Sequence, residues 1–340
     1  MKVYINGRFL SQERSGVQYF ASGIVHELMN LYPEAVLLSP KKIAHDSWLR
    51  HQKIGFLNGV LWEQISLPLF LLGKKDHILI NLCNSAPLFL TNNIIIVHDL
   101  AFEQKSKKWF NSNFKKWYQF LIPRICKSAR LIFTVSQFSK KEIEKHYTIS
   151  GERIKVITNG ILEIKTPEIK KTDAPYLLIT SINDPRKNVS WIIKNMDIIS
   201  ANGYKLVMIK NNSKVFADIN LTSNPNIQVK EYLSNKAYFE LLKNASALLY
   251  PSEYEGFGIP ILESLILGTP VIASNLEVFQ ESFGTLPIYF EQGNKTSFEK
   301  AIEKIKYSKI SVEDQQQLKE RFNFKRSAQE MVKQIDALKI

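Results

Sequence analysis

The sequence predicts an α/β protein built from two parallel-sheet domains. Short apolar runs alternate with helical patterns along the whole chain, which is the signature of helix-covered parallel sheets. A length of 340 residues suits about two domains. Hydrophobic content of 45% and charged content of 23% are those of a globular protein, and each half is large enough to bury its own core. In the first half the strand-like runs are Val3–Ile5, Ala35–Leu38, Ile78–Asn81, Ile94–His98, Leu131–Val135 and Lys155–Ile157. Helical patterns there include Gly16–Asn30, Asn113–Lys127 and Lys140–His146. The runs of the second half are Tyr176–Thr180, Lys205–Ile209, Ile227–Lys230, Ala247–Tyr250 and Val271–Ala273. The polar stretch Glu163–Ala174 reads as the linker. No repeat of 20–50 residues and no low-complexity tract interrupts this pattern.

The densest chemistry lies in Tyr250–Asn275, Y-P-S-E-Y-E-G-F-G-I-P-I-L-E-S-L-I-L-G-T-P-V-I-A-S-N. A buried strand runs into a glycine-flanked loop, a helix follows, and Gly268 and Pro270 stop it before the next strand. Pro260 suits a first helical turn because it has no N–H to lose there. The loop falls outside the carboxyl end of a strand, where open α/β sheets take ligands. Backbone N–H groups over Gly256, Phe257, Gly258 and Ile259 can hold an anion, and Gly256 and Gly258 let it approach the backbone. Glu255 sits on the loop and Glu263 one turn inside the helix, so the two carboxylates can reach different parts of one elongated ligand. A capped amphipathic helix whose Glu263 complements the dipole is the plainer alternative.

This stretch resembles the C-terminal motif of the retaining glycosyltransferases of family 4, which have the GT-B fold. The resemblance implies that Glu255 lies by the donor sugar and Glu263 binds the nucleotide ribose. Leu61-Trp62-Glu63-Gln64 and Asn81-Leu82-Cys83-Asn84 resemble segments of a bacterial surface-polysaccharide subgroup of the family. With Thr134–Ser139 and Ile157–Ile161 the resemblance covers nearly the whole chain, and Pro185-Arg186-Lys187-Asn188 is similar to mannosyltransferases of that kind. Trp62 and Glu63 carry no independent chemistry and suit packing and capping. The implied organisation is an N-terminal acceptor-side domain over 1–162, a C-terminal nucleotide-sugar domain over 163–324, and a last helix, 325–340, crossing back to the first domain.

Asp184-Pro185-Arg186-Lys187-Asn188 follows the first strand of the second half. Adjacent Arg186 and Lys187 at a strand's carboxyl end can grip a diphosphate, the arginine bidentately. The family places basic residues here, and Ser181 stands where it often has glycine. The alternative is an ordinary solvated turn. His98-Asp99 closes the apolar strand Ile94–Val97. The family has a histidine here near donor sugar and acceptor, although a lone strand-end histidine is often structural. Asp99 can orient His98 or cap the next segment. Gly16 opens a helix after the first strand, in a loop that the family brings toward donor and acceptor; one glycine at such a turn is also commonplace.

The net charge of +13 is uneven. Residues 1–162 carry 22 basic and 11 acidic residues, and 163–340 carry 23 and 21, giving +11 against +2. Such asymmetry suits nucleic acid or an anionic membrane. Residues 105–130 interleave eight basic residues with six aromatics, including Lys107, Lys108, Trp109, Lys115, Lys116 and Trp117. They read either as a surface for lipid headgroups or as a half-buried helix with solvated lysines. No apolar run approaches the ~20 residues of a membrane span. The start M-K-V-Y-I-N reads as a first strand and not a signal peptide. Two cysteines, Cys83 and Cys126, make no disulfide framework and suggest a reducing compartment.

There is no D-x-D pair, P-loop, G-x-G-x-x-G fingerprint or His/Cys metal spacing. The resemblance implies a retaining GT-B glycosyltransferase with no bound cofactor and no obligatory metal, and the missing D-x-D pair agrees with it. Its donor is a nucleotide-diphospho-sugar, GDP-mannose favoured, and its acceptor a glycan or lipid-linked oligosaccharide. It would lie in the cytoplasm, peripheral at the inner face of the cytoplasmic membrane, with no specific nucleic acid. A GT-B sugar-nucleotide epimerase or hydrolase, or a non-enzymatic basic membrane- or nucleic-acid-binding protein, are the alternatives.

Overall fold

The computed structural model describes residues 2–13, 15–43, 50–104, 107, 109–164, 174–210, 224–231 and 233–339. Most of the expected linker, 165–173, lies outside them, as does Lys108. The chain divides into two compact units, one of residues 1–105, 112–162 and 322–340, the other of 106–111 and 163–321.

The first unit is built on a sheet of seven strands. These are β1 (Lys2–Asn6), β2 (Val36–Ser39), β3 (His51–Lys53), β4 (His77–Asn81), β5 (Asn93–Ile96), β6 (Leu131–Thr134) and β7 (Ile154–Val156). Their order is β3-β2-β1-β4-β5-β6-β7, and every pairing is parallel. The order reverses at β1, as in doubly wound sheets, and the central strands are apolar on both faces because helices cover both. β3 is missing from the sequence reading because it is a three-residue edge strand with exposed Gln52 and Lys53. The helix expected over Lys140–His146 begins at Gln137, since the Ser136 hydroxyl accepts the Ser139 N–H at 3.1 Å and caps it there.

The last helix, Phe324–Asp336, packs on the first unit for a specific reason. A Cβ at Gly23 would lie 2.3 Å from the Phe324 ring, and one at Gly160 would lie 2.4 Å from it. Two glycines thus make the socket that seats Phe324, and the Phe20 ring meets it at 5.9 Å.

The second unit has six strands: β8 (Tyr176–Ile179), β9 (Lys205–Lys210), β10 (Ile227–Glu231), β11 (Ala247–Tyr250), β12 (Val271–Ser274) and β13 (Ile288–Phe290). Their order is β10-β9-β8-β11-β12-β13, again all parallel. β13, three residues long, also escapes the sequence reading. The two sheets bear out the α/β, GT-B-type architecture of two Rossmann-like domains.

One short segment departs from the expected first domain, 1–162. Lys107, Trp109 and Phe110 belong to the second unit. Lys107 Nζ donates to Glu253 at 2.6 Å, the Trp109 and Tyr254 rings meet at 6.2 Å, and the Arg186 guanidinium lies over Phe110.

Candidate active site

In the second unit the site begins where β8 ends. Ser181 takes φ +57°, a left-handed conformation that favours glycine. Asp184 then caps a 3-10 turn, Pro185–Lys187, its carboxylate accepting the Arg186 N–H at 3.0 Å. The same carboxylate takes both Nε and Nη2 of Arg186, at 3.0 and 2.7 Å. Burial alone would raise the Asp184 carboxyl; the Arg186 guanidinium more than reverses this and holds it below the usual carboxylate range. Asn188, at φ +50°, turns the chain into the helix Val189–Lys194.

β11 is hydrogen-bonded beside β8, and its carboxyl end carries the second part of the site. Lys187 Nζ donates to Glu255 Oε1 and to the Tyr250 hydroxyl, and it lies 4.1 Å from the Tyr250 ring centroid. Lys187 and Glu255 are both buried. Burial, with the Glu255 charge, pushes the Tyr250 hydroxyl pKa well up, so this tyrosine stays neutral. The Glu253 N–H donates to the Arg186 carbonyl at 2.7 Å and ties the two loops together.

The loop closes at Gly258, whose φ of +112° and ψ of +58° are open to glycine alone without strain. A Cβ there would also meet the Phe279 ring at 3.0 Å. The helix Ile259–Ile266 starts immediately after, with Pro260 in its first turn. Glu263 is buried and accepts from the Tyr238 hydroxyl at 2.6 Å, on the helix Asn235–Asn244. Phe257 points inward, packed against Phe283 at 5.4 Å. At the carboxyl ends of β8, β11 and β12, the buried hydroxyls of Thr180, Ser252 and Ser274 have no hydrogen-bond partner among the described residues. Natural structures rarely leave such groups unsatisfied unless water or ligand meets them.

The structure thus brings Lys187, Glu255 and Gly256–Ile259 together, with Arg186 and Glu263 on adjoining elements. The two basic residues are not free charges, however. Arg186 is clamped by Asp184 and Lys187 by Glu255, so a diphosphate would have to compete for them or share them. Asp184, Tyr238 and Tyr250 were not assigned from sequence. The Asp-Pro pair of D-P-R-K, an N-cap acid before a first-turn proline, is the signal that marks Asp184.

Gly16 and His98 lie in the first unit. Gly16 is exposed at the start of the helix Gly16–Leu31, behind a capping box of Ser15 and Gln18. His98 is buried; its Nε2 faces the Leu82 carbonyl at 2.9 Å, and its ring meets Phe20 edge-on at 4.9 Å. Burial lowers its pKa below 6.5, so the ring is neutral, with Nε2 as donor and Nδ1 as acceptor. Asp99 caps the next turn by accepting the Ala101 N–H at 2.9 Å.

The first unit also holds a buried polar cluster that the sequence did not reveal. Glu63 accepts from Asn6 Nδ2 at 2.9 Å, from Ser85 Oγ at 3.0 Å, and from Arg8. Asn6 in turn donates to Asn81 at 2.9 Å. Trp62 next to it is core, fully buried, its indole N–H on the Ile54 carbonyl at 2.9 Å. Among the described residues no group of three His, Cys, Asp or Glu side chains could hold a metal ion.

Comparison with known proteins matches two adjoining parts of the chain to glycosyltransferase family models. The description "Glycosyltransferase Family 4" covers residues 87–162, and "Glycosyl transferases group 1" covers residues 161–324. The chain is 30% identical over 223 residues to the O-antigen chain mannosyltransferase RfbU of Salmonella typhimurium, covering 64% of this chain and 61% of that protein. It is 25% identical over 209 residues to the MMP alpha-(1->4)-mannosyltransferase of Mycolicibacterium hassiacum, covering 58% and 50%. The matches span about half to three fifths of the length of these relatives. Among solved structures, Anabaena Alr3699/HepE in complex with UDP and glucose superimposes with a TM-score of 0.71 at 14% identity, over 99% of each chain, and shares the fold. Two adjoining glycosyltransferase family models thus match residues 87–324, and over that range the chain is similar to the group 1 and family 4 glycosyltransferases.

Proposed function

We propose that the protein transfers a hexose, mannose in preference, from a nucleotide-diphospho-sugar to a lipid-linked glycan in bacterial surface-polysaccharide synthesis, with retention of anomeric configuration. The observation that carries this reading is the buried Lys187–Glu255 contact beside the Gly258-led helix, which supplies a cation, a hydroxyl-binding carboxylate and backbone donors at one point. Two curated relatives named as mannosyltransferases support mannose and hence GDP-mannose as donor.

In this reading Lys187, with Arg186, meets charge growing on the leaving diphosphate, the main catalytic need of the step. Amides over Gly256, Phe257, Gly258 and Ile259 position the donor, Glu255 accepts from sugar hydroxyls, and Glu263 accepts from the ribose. His98 and Gly16 belong to the acceptor side. No obligatory metal is proposed, because the cationic side chains can serve the diphosphate. The membrane's inner face is the proposed place of work. A panel of GDP-, UDP- and other nucleotide sugars, read by thermal shift and by product analysis with and without a lipid-linked acceptor, tests the proposal. Stabilisation by GDP-mannose together with acceptor-dependent release of GDP supports it. Acceptor-independent release or epimerisation of the sugar favours the hydrolase or epimerase alternative.

A further inference from the structure

The helical run of residues 59–71, made of Gly59–Leu61, a π turn over Trp62–Ser66, and Leu67–Leu71, is amphipathic in an inverted sense. Its inner face is the expected core: Trp62, Leu67 and Leu71 pack with Tyr4, Leu38, Ile54 and Leu79. Glu63 is the only charged residue between Lys53 and Lys74, and it is 1% exposed. The outer face therefore carries no charge. Leu61, Ile65, Leu69 and Leu72 follow one another there at helical spacing, between 43% and 78% exposed.

Two loops add aromatic rings to this stripe. Gly55 lies against Ser66 and Trp62 of the run and leads into Phe56, which is 80% exposed. The Gln64 side chain donates to the Ala86 carbonyl at 3.0 Å and accepts the Leu88 N–H at 2.9 Å. That clamp holds the loop carrying Phe89, 86% exposed, beside the run. Apolar side chains scattered singly on a surface are ordinary; a contiguous set on one helix marks an interaction site.

We propose that this stripe is the membrane-docking face of the first unit, and that its partner is an anionic lipid bilayer. Charge decides the partner. Exposed Lys53 stands at one end of the run and exposed Lys74 and Lys75 at the other, against a single exposed acid, Asp76. A symmetric pairing of two copies through the stripe would set lysines against lysines, whereas anionic headgroups complement both ends. The run is about 16 Å from Leu61 to Leu72, and leucines on a face rimmed by lysine suit a helix lying in the plane of the interface.

The basic aromatic segment 105–130 is less suited to that role. Trp109 is buried, Lys107 is paired with Glu253, and Lys115 Nζ donates to the Gln104 carbonyl at 2.8 Å.

The proposal rests on the lipid-linked acceptor of the functional reading only for its motive, because docking is measured without donor or acceptor. The test is co-sedimentation of the full chain with phosphatidylcholine vesicles, with and without phosphatidylglycerol. It uses the wild type, a triple variant Ile65→Ser, Leu69→Ser, Leu72→Ser, and a Lys107→Gln, Lys116→Gln variant. Expected is binding to phosphatidylglycerol vesicles that weakens with salt and falls at least tenfold in the triple variant. The Lys107, Lys116 variant should bind like the wild type. Unchanged melting temperature and nucleoside-diphosphate affinity in the triple variant establish that it is folded. Equal binding by wild type and triple variant, or no binding by the wild type, overturns the proposal. So does a wild-type dimer in analytical ultracentrifugation that the triple variant abolishes while vesicles remain unbound. GDP-mannose turnover, assayed separately in detergent, shows whether the functional reading stands when docking fails.

Discussion

Lys187 and Glu255, 68 positions apart in sequence, form a buried ion pair that joins the carboxyl ends of two neighbouring strands. Each is the other's charge partner, and the Tyr250 hydroxyl takes a second hydrogen bond from the lysine. The residues proposed to bind phosphate and sugar thus hold each other in place, and electrostatic catalysis draws on preorganisation of this kind.

The pair makes Glu255→Gln a double test. Glutamine keeps the shape but leaves Lys187 buried without a counter-charge, so stability should fall by about 3 kcal/mol. Turnover and kcat/KM should fall together, since the lost interaction serves the transition state. Denaturant unfolding and steady-state kinetics measure the two effects. Wild-type turnover in this variant would remove Glu255 from the donor site.

Phosphate and acceptor recognition should separate by unit. Lys187→Ala should weaken binding of the bare nucleoside diphosphate by roughly 10- to 100-fold, the value of a charge-assisted hydrogen bond. His98→Ala should leave that affinity nearly unchanged while reducing transfer. Calorimetric titration of GDP into both variants checks this. Equal losses would contradict the layout.

Gly258→Ala should destabilise the protein by about 1–2 kcal/mol and impair turnover. Alanine at φ +112° is strained, and its methyl would press on the Phe279 ring. A variant as stable and active as the wild type would show that the turn relaxes without disturbing the loop.

Acid should expose the burial of His98. Its folded-state pKa lies below the unfolded value near 6.5, so between those two pKa values the unfolded chain binds more protons. Stability contributed by the neutral ring is complete above pH 6.5 and is lost progressively as pH falls toward the lowered pKa. Melting curves from pH 8 to pH 5 should show a steeper decline for the wild type than for His98→Gln. Parallel curves would mean that His98 titrates normally.

What the sequence made legible follows from how locally each feature is encoded. β1, β4, β5, β8 and β11 are buried on both faces and read as apolar runs. β3 and β13, three residues each, are too short for a pattern and owe their existence to a neighbouring strand. The Tyr250–Asn275 motif was readable because a turn, a helix start and two carboxylates lie within 26 consecutive residues. The pairings that restrain it were not, because Lys187–Glu255 and Tyr238–Glu263 join distant segments. Glu63 illustrates the same limit. In sequence it is a lone acid on an apolar helix; in the fold it is the counter-charge of Arg8, with Asn6 and Ser85 on its remaining lone pairs. Trp109 and Lys107 looked available to lipid because their partners, Tyr254 and Glu253, lie about 145 residues further along the chain.

The product of the reaction is the most direct readout of the Lys187–Glu255 site. Purified protein, incubated with GDP-mannose and a polyprenyl-diphosphate-linked oligosaccharide, should release GDP only when acceptor is present. NMR of the product should show a mannoside with the anomeric configuration of the donor, and Glu255→Gln and Lys187→Ala should each suppress its formation. A mannoside of inverted configuration, or release of free mannose at the same rate without acceptor, would contradict a retaining transferase built on the Lys187–Glu255 site.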